Sequence, residues 1–310
     1  MPRLYRPSPR SRQNYAAFKK KRGGGPRRYR KTKRPYRKNR AMSKKRVLNV
    51  TSRKKRDTML TWSNTTNSGA VRAPAVGPLF VNGSQLGTFL WVATARDLTP
   101  GTSGGLATVA NESSRTATTC YMRGLSEHIR IQTSSGVPWF HRRICFTSKG
   151  ASFQTPIPGD TGTLFPYLET SNGMVRPFIN ITIDQTLQNY RNQIFNIIFK
   201  GQEGVDWNDI VSAPLDSRRI SIKFDKTWTL HSGNTNGIVR ERKLWHGMNK
   251  NLVYDDDESG LSEQPAFYST DSKAGMGDYY VLDLIVPGTS ATSSDAIRIE
   301  TTSSLYWHEK

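Results

Sequence analysis

Arg219-Ile220-Ser221-Ile222-Lys223-Phe224-Asp225-Lys226-Thr227-Trp228-Thr229-Leu230 is the stretch from which the fold class follows. Ile220, Ile222, Phe224, Trp228 and Leu230 share one parity. Ser221, Lys223, Asp225, Thr227 and Thr229 share the other, with Lys226 the single exception. A period of two with one apolar side describes a strand with one buried and one wet face, as in an antiparallel sheet. The expectation is that Ile220, Ile222, Phe224, Trp228 and Leu230 all face a core.

Further strands follow on either side. Ile238 to Trp245 is one, and Tyr279 to Val286, apolar on both parities, belongs deep in the molecule. Ile297, Ile299, Leu305 and Trp307 lie on one face of a last strand. Upstream, Phe140, Ile144 and Phe146 share a face, and Thr116 to Met122, His128 to Gln132, Phe89 to Ala95 and Leu79 to Val81 read as shorter strands. Met59, Leu60 and Trp62 mark the first strand of the body. Ile183, Leu187, Tyr190, Ile194 and Ile197 recur at helical spacing, with Gly201 placed to stop the helix. Leu98 to Ser114 and Ser148 to Met174 are loops, rich in Gly, Ser and Thr or in Pro and Gly. Roughly eight to ten strands with long loops and one or two helices predict an all-β protein, best an eight-stranded antiparallel jelly roll. An immunoglobulin-like sandwich fits less well, because its Cys…Trp…Cys spacing is absent.

The body offers little to an enzyme. The motifs GxxxxGK[ST] and HExxH are absent, and the histidines at 128, 141, 231, 246 and 308 never pair at i,i+2 or i,i+4. No catalytic residue, metal site or cofactor is expected. Asp255-Asp256-Asp257-Glu258 reads as a solvated loop, with a subunit contact or a cation site as alternatives. Arg142-Arg143, Arg218-Arg219 and Arg240/Arg242/Lys243 read as solvated or rim bases that can extend a nucleic-acid surface. Cys120 and Cys145 read as reduced core residues. No secretory signal and no membrane span are expected.

Charge divides the chain in two. Residues 1–56 hold 24 Lys and Arg and no acid, whereas residues 57–310 hold 22 bases against 24 acids. The net charge of +22 is therefore +24 on the first 56 residues and −2 on the rest. The reading is a disordered basic arm, 1–56, ahead of a shell domain, 57–310, because such a polycation repels itself and has too little apolar surface to collapse.

Polycation and aromatics together suit nucleic acid, the bases pairing with phosphates and the rings stacking on unpaired bases. The DNA-contacting candidates are Lys19, Lys20, Lys21, Arg22, Arg27, Arg28, Arg30, Lys31, Lys33, Arg34, Arg37, Lys38, Arg40, Lys44, Lys45, Arg46, Arg53, Lys54, Lys55 and Arg56, with Tyr29 and Tyr36 as stacking candidates. A membrane-surface role lacks a lipidation site or an amphipathic face. Nuclear import, through host import receptors, is a compatible second task for the same clusters.

A polycation on a jelly roll without an active site suits a shell that packages nucleic acid. About 60 copies in a simple icosahedron would bring roughly 1,400 positive charges inside, enough for most phosphates of a small single-stranded genome. The stretch Lys44-Lys45-Arg46-Val47-Leu48-Asn49-Val50-Thr51-Ser52-Arg53-Lys54-Lys55-Arg56-Asp57-Thr58-Met59-Leu60-Thr61-Trp62-Ser63-Asn64 resembles coat proteins of genomoviruses, small circular single-stranded DNA viruses related to geminiviruses. The Arg/Tyr-rich arm and the Tyr306-Trp307-His308 ending are similar too. The resemblance implies a jelly-roll coat protein, a T=1 icosahedral homo-oligomer, a circular single-stranded DNA genome, and residence in the virion and the host nucleus. It supplies no catalytic residues. The rival reading is a ribosomal or chromatin-type protein with a basic tail, for which a large, neutral, all-β body is unexpected.

Overall fold

The structure, a computed structural model, describes residues 42–100, 105–155, 157–162 and 166–310, without the side chain of Lys45. A short helix, α1 (Lys44–Thr51), precedes β1 (Arg53–Thr65), β2 (Val71–Val76), β3 (Leu79–Asn82), β4 (Gly87–Val92), β5 (Thr119–Thr133) and β6 (Trp139–Ser148). The long connection that follows carries β7 (Glu169–Thr170), β8 (Gly173–Met174), β9 (Arg176–Phe178) and α2 (Gln188–Ile198). The chain then forms β10 (Ser221–Leu230), β11 (Val239–Val253), the hairpin β12 (Asp257–Ser259) and β13 (Ser262–Gln264), β14 (Asp278–Pro287) and β15 (Ala296–Glu309).

Eight of these strands carry the architecture, and their pairing is nested. β1 pairs with β15, β4 with β14, β5 with β11 and β6 with β10, all antiparallel. First meets last and fourth meets fifth, as in one long hairpin. Two further pairings, β15 with β5 and β14 with β6, roll that hairpin into two sheets, ordered β11-β5-β15-β1-β2 and β10-β6-β14-β4. This is the jelly roll expected from the strand count.

Two clusters fill the space between the sheets, one around Trp91, Cys145, Val281, Leu305 and Trp307, the other around Phe89, Ile131, Trp139, Ile285 and Ile297. A third lies outside the β10-β6-β14-β4 sheet. There Leu187, Tyr190, Ile194, Phe195 and Ile198 press against Ile144, Phe146, Leu282 and Leu284. β14 is thus buried on both faces, which is why Tyr279 to Val286 is apolar on both parities. The helix ends at Ile198. Gly201, with a φ of 85° that favours glycine, sits where a Cβ would meet Asp206 at 2.6 Å.

The strand of strict alternation departs from expectation. Among the described residues β10 is an edge strand bonded only to β6, and a register shift lies between Ile222 and Phe224. Ile222 stands opposite Phe146 on the α2 side, but Phe224 stands opposite Cys145 on the inter-sheet side. One inserted residue flips the parity. Ile220 and Leu230 are buried, Phe224 and Trp228 are half-buried, and Ile222 is 37% exposed. The single buried face read from the sequence is therefore two partly covered ones.

Candidate nucleic-acid interface

The sequence reading ends the basic arm at Arg56, but order reaches further back. Lys44–Thr51 is helical, and the Ser52 amide closes its last turn on the Leu48 carbonyl at 3.0 Å. β1 opens at Arg53, with Arg53, Lys54, Lys55 and Arg56 opposite Glu309, His308, Trp307 and Tyr306. These four bases belong to the first strand of the sandwich.

Strand alternation then sorts the bases. Lys54 and Arg56 point to solvent, whereas Lys55 has the inward parity of Met59 and Thr61 and is 3% exposed. Its ammonium donates to the carbonyls of Asn111 and Ser114 at 3.1 and 2.7 Å and to the Thr116 hydroxyl at 3.1 Å, and pairs with Glu309 at 3.2 Å. Burial works against the Glu309 charge, yet hydrogen bonds from Thr116 and Trp307 and the charge of Lys55 hold its carboxyl below the usual range. Lys55, counted from sequence among the DNA-contacting bases, is a structural pin. Its charge is spent inside the fold, because leaving it unpaired there would be costly.

Lys44, Arg46, Arg53, Lys54 and Arg56 are exposed. Arg53 donates to the Val109 carbonyl at 2.7 Å, and the Arg56 guanidinium lies 5.7 Å from the centre of the Tyr306 ring. Lys19 to Arg40, with Tyr29 and Tyr36, lie outside the described residues, as does the Lys45 side chain.

The paired bases of the body separate too. Arg142 and Arg143 are buried rather than solvated. Arg142 forms a two-pronged contact with Asp225 and donates to the carbonyls of Ile210 and Ala213 at 2.9 and 2.8 Å. Arg143 bonds Asp283 through two nitrogens at 2.7 and 2.9 Å and also bonds Glu127. Arg242 lies over the Trp228 ring at 4.4 Å and donates to His141. Arg218 and Arg219 bridge to Asp216 at 3.5 and 3.4 Å. Arg240 and Lys243 remain exposed.

The acidic run divides likewise. Asp256 forms a two-pronged bridge with buried Arg115, whereas Asp257 and Glu258 stand exposed in the β12–β13 hairpin. No group of three or more His, Cys, Asp or Glu among the described residues is placed to hold a metal ion. Cys120 and Cys145 are buried free thiols. Burial pushes the Cys145 thiol up to about 12.

The outward face that carries Lys54 and Arg56 also carries Tyr121, Arg123, Lys243, Trp245, Tyr306 and His308. Of these, only Lys243 was linked to nucleic acid from sequence. The available signal was the opposition of Lys243 and Trp245 to the inward parity of Leu244 and His246.

No protein-family model matches the chain, and no curated protein matches it. Among solved structures, a mutant of the unassembled VP1 pentamer of Washington University polyomavirus is similar at 10% identity, with 86% of this chain and 97% of that chain covered and a TM-score of 0.11. At that score the fold assignment rests on the strand order alone.

Proposed function

We propose that this chain is a viral coat protein that self-assembles into a small icosahedral shell, of T=1 type with about 60 copies, and packages circular single-stranded DNA through its basic N-terminal segment. The carrying observation is the charge partition on this fold, +24 over residues 1–56 against −2 over the remainder of a jelly roll. The body balances its own charge by internal pairing, so the basic segment needs a polyanion from outside. The resemblance of residues 44–64 to genomovirus coat proteins supports the same reading and adds nuclear import as a second task of the basic clusters. The role is structural rather than catalytic, with the virion and the host nucleus as its locations.

The test is negative-stain microscopy of the purified full chain, with the packaged nucleic acid extracted and typed by nucleases. Closed shells holding single-stranded DNA are expected. Discrete, soluble, nucleic-acid-free particles at high concentration would refute the coat-protein reading.

A further inference from the structure

Beyond the basic segment, we propose that the outward face of β1, β15, β5 and β11, at the end where Lys54 and Arg56 lie, is a second single-stranded DNA site that stacks unpaired bases. The proposal rests on the coat-protein reading for the identity of the strand, and on geometry for the site.

The aromatic side chains of this face are gathered rather than scattered. Trp245 is 54% exposed, and its ring lies 5.7 Å from that of Tyr306. Those residues stand on β11 and β15, with β5 between them. They meet because Gly124 of β5 puts nothing in the way. A Cβ there would lie 2.7 Å from the Trp245 ring and 2.5 Å from the His246 carbonyl oxygen, and the φ of 154° is one that favours glycine. Gly124 is also the site of a register shift against both neighbours, after Tyr306 on β15 and after Gly247 on β11. Such bulges re-aim side chains. The adjacent Arg123 bonds Asn249. Next in the row, His308 and Tyr121 sit with ring centres 6.0 Å apart.

Charge segregates along the same face. Lys54, Arg56 and Arg123 occupy the aromatic end, and Lys243 stands one step beyond Trp245, opposite His128. The face's acids, Glu241 and Glu300, lie toward the other end, already matched to His128 at 3.5 Å and to Arg130 and Arg298 at 3.9 and 2.8 Å. Burial, with the nearby charges of Arg123 and Lys54, lowers the pKa of His308, so the ring next to Tyr121 favours its neutral form. Solvent-facing rings beside cations that make no ion pair among the described residues complement a strand whose bases are free to stack and whose phosphates are negative. A duplex, with its bases already stacked on one another, has no use for the rings. A protein partner would meet the positive charges of Lys54, Arg56 and Arg123, which make no ion pair among the described residues.

The test uses the full wild-type chain bound to a single-stranded 5-bromodeoxyuridine oligonucleotide, photo-crosslinked and mapped by mass spectrometry. Crosslinks at Trp245 and Tyr306, in addition to the basic segment, are expected. Crosslinks confined to residues 1–53 overturn the proposal, as does protection of Trp245 and Tyr306 in nucleic-acid-free assemblies, which would assign the face to a second copy of the chain. A second measurement compares a dT oligonucleotide with an abasic strand of equal length. The Trp245→Ala/Tyr306→Ala chain should lose about five- to 150-fold in affinity for dT per lost stack while binding the abasic strand unchanged. Equal loss for both strands, or none, overturns the proposal. Shells filled with single-stranded DNA but lacking those crosslinks would sink this inference alone and leave the coat-protein reading standing.

Discussion

Between the two sheets, Glu127, Asp283, Arg143 and Arg176 form a buried, charge-balanced quartet, each at most 1% exposed. Arg176 bridges Glu127 at 3.2 Å and Asp283 at 2.6 Å, Arg143 bonds the same two carboxylates, and Ser303 donates to Glu127 at 2.9 Å. His141 lies 2.8 Å from Asp283, and its other ring nitrogen faces the Arg242 guanidinium, a donor. Burial lowers the pKa of His141, so it is neutral and the count stays two against two. Glu127→Gln keeps the shape and deletes one negative charge, leaving two guanidinium groups on one carboxylate. Breaking a buried pair in this way costs about 3–5 kcal/mol. Adding Arg143→Met removes the stranded cation, so the double variant should be more stable than the sum of the single losses by about 1–3 kcal/mol. Urea unfolding of the full chain, followed by tryptophan fluorescence, measures all three. A Glu127→Gln loss below about 1 kcal/mol, or strict additivity, would refute the charge-balance account. The pH dependence gives a second check. The carboxyls of Glu127 and Asp283 are held below their ordinary values of 4.5 and 3.8, so their contribution is complete above those values and is lost as pH falls through the depressed ones. Glu127→Gln should flatten the acid limb of the stability curve.

Other expectations follow from single residues. Trp228→Ala should cost about 1–2 kcal/mol, below the 3–5 of a core aromatic, because Trp228 is half-buried on an edge strand; a loss above about 3 in the same urea assay would place it in the core after all. Lys55→Met should destabilise the fold by about 3 kcal/mol without weakening single-stranded DNA binding. The pair Lys54→Gln/Arg56→Gln should instead lower the salt dependence of log K by about 1.4 and leave the unfolding midpoint in place. Weakened DNA binding by a folded Lys55→Met chain would contradict that division. Burial raises the Asp278 carboxyl from 3.8 to about 6, despite hydrogen bonds from Ser269 and Thr94. Its folded pKa lies above its unfolded one, so its contribution is present below pH 3.8 and is lost as pH rises through 6, by about 3 kcal/mol. Asp278→Asn should remove that fall between pH 4 and 7, and an unchanged slope would show that Asp278 is not the group responsible.

What could be read from the sequence follows the range of the interaction that fixes each element. β14 and β15 were legible because their burial is written into consecutive residues, apolar on both parities for Tyr279 to Val286 and on one for Ile297, Ile299, Leu305 and Trp307. β5 reads as two strands from sequence, since the break at Arg123-Gly124 interrupts its pattern, yet the ladder with β11 resumes beyond the bulge. The parity of β10 was visible but its bulge was not, because an inserted residue carries no composition signal of its own. Arg142 and Arg143 look solvated, since the acids that neutralise them, Asp225, Glu127 and Asp283, stand on other strands. Lys55 is the sharpest case. It sits inside a run of four bases, and only its meeting with residues far along the chain, the loop at 111–116 and Glu309, makes it structural.

The same internal pairing bears on the function proposed above. The body carries 22 bases, and many of them are tied to its own acids or carbonyls, from Arg96 with Asp57 to Arg176 with Glu127 and Asp283. Lys55 aside, which Glu309 matches, a near-neutral body of this kind cannot also neutralise the other 23 positive charges of residues 1–56. Under the proposed function, subunits that bring those charges together would repel one another until a polyanion enters, so that assembly and packaging would become one event, with salt acting on both. On this account, raising ionic strength in the absence of nucleic acid should permit empty association, while low salt should hold the chains apart until single-stranded DNA is added. Light scattering across a salt series, with and without DNA, reads the difference. Association at low salt that ignores added DNA would mean that the basic segment does not govern assembly.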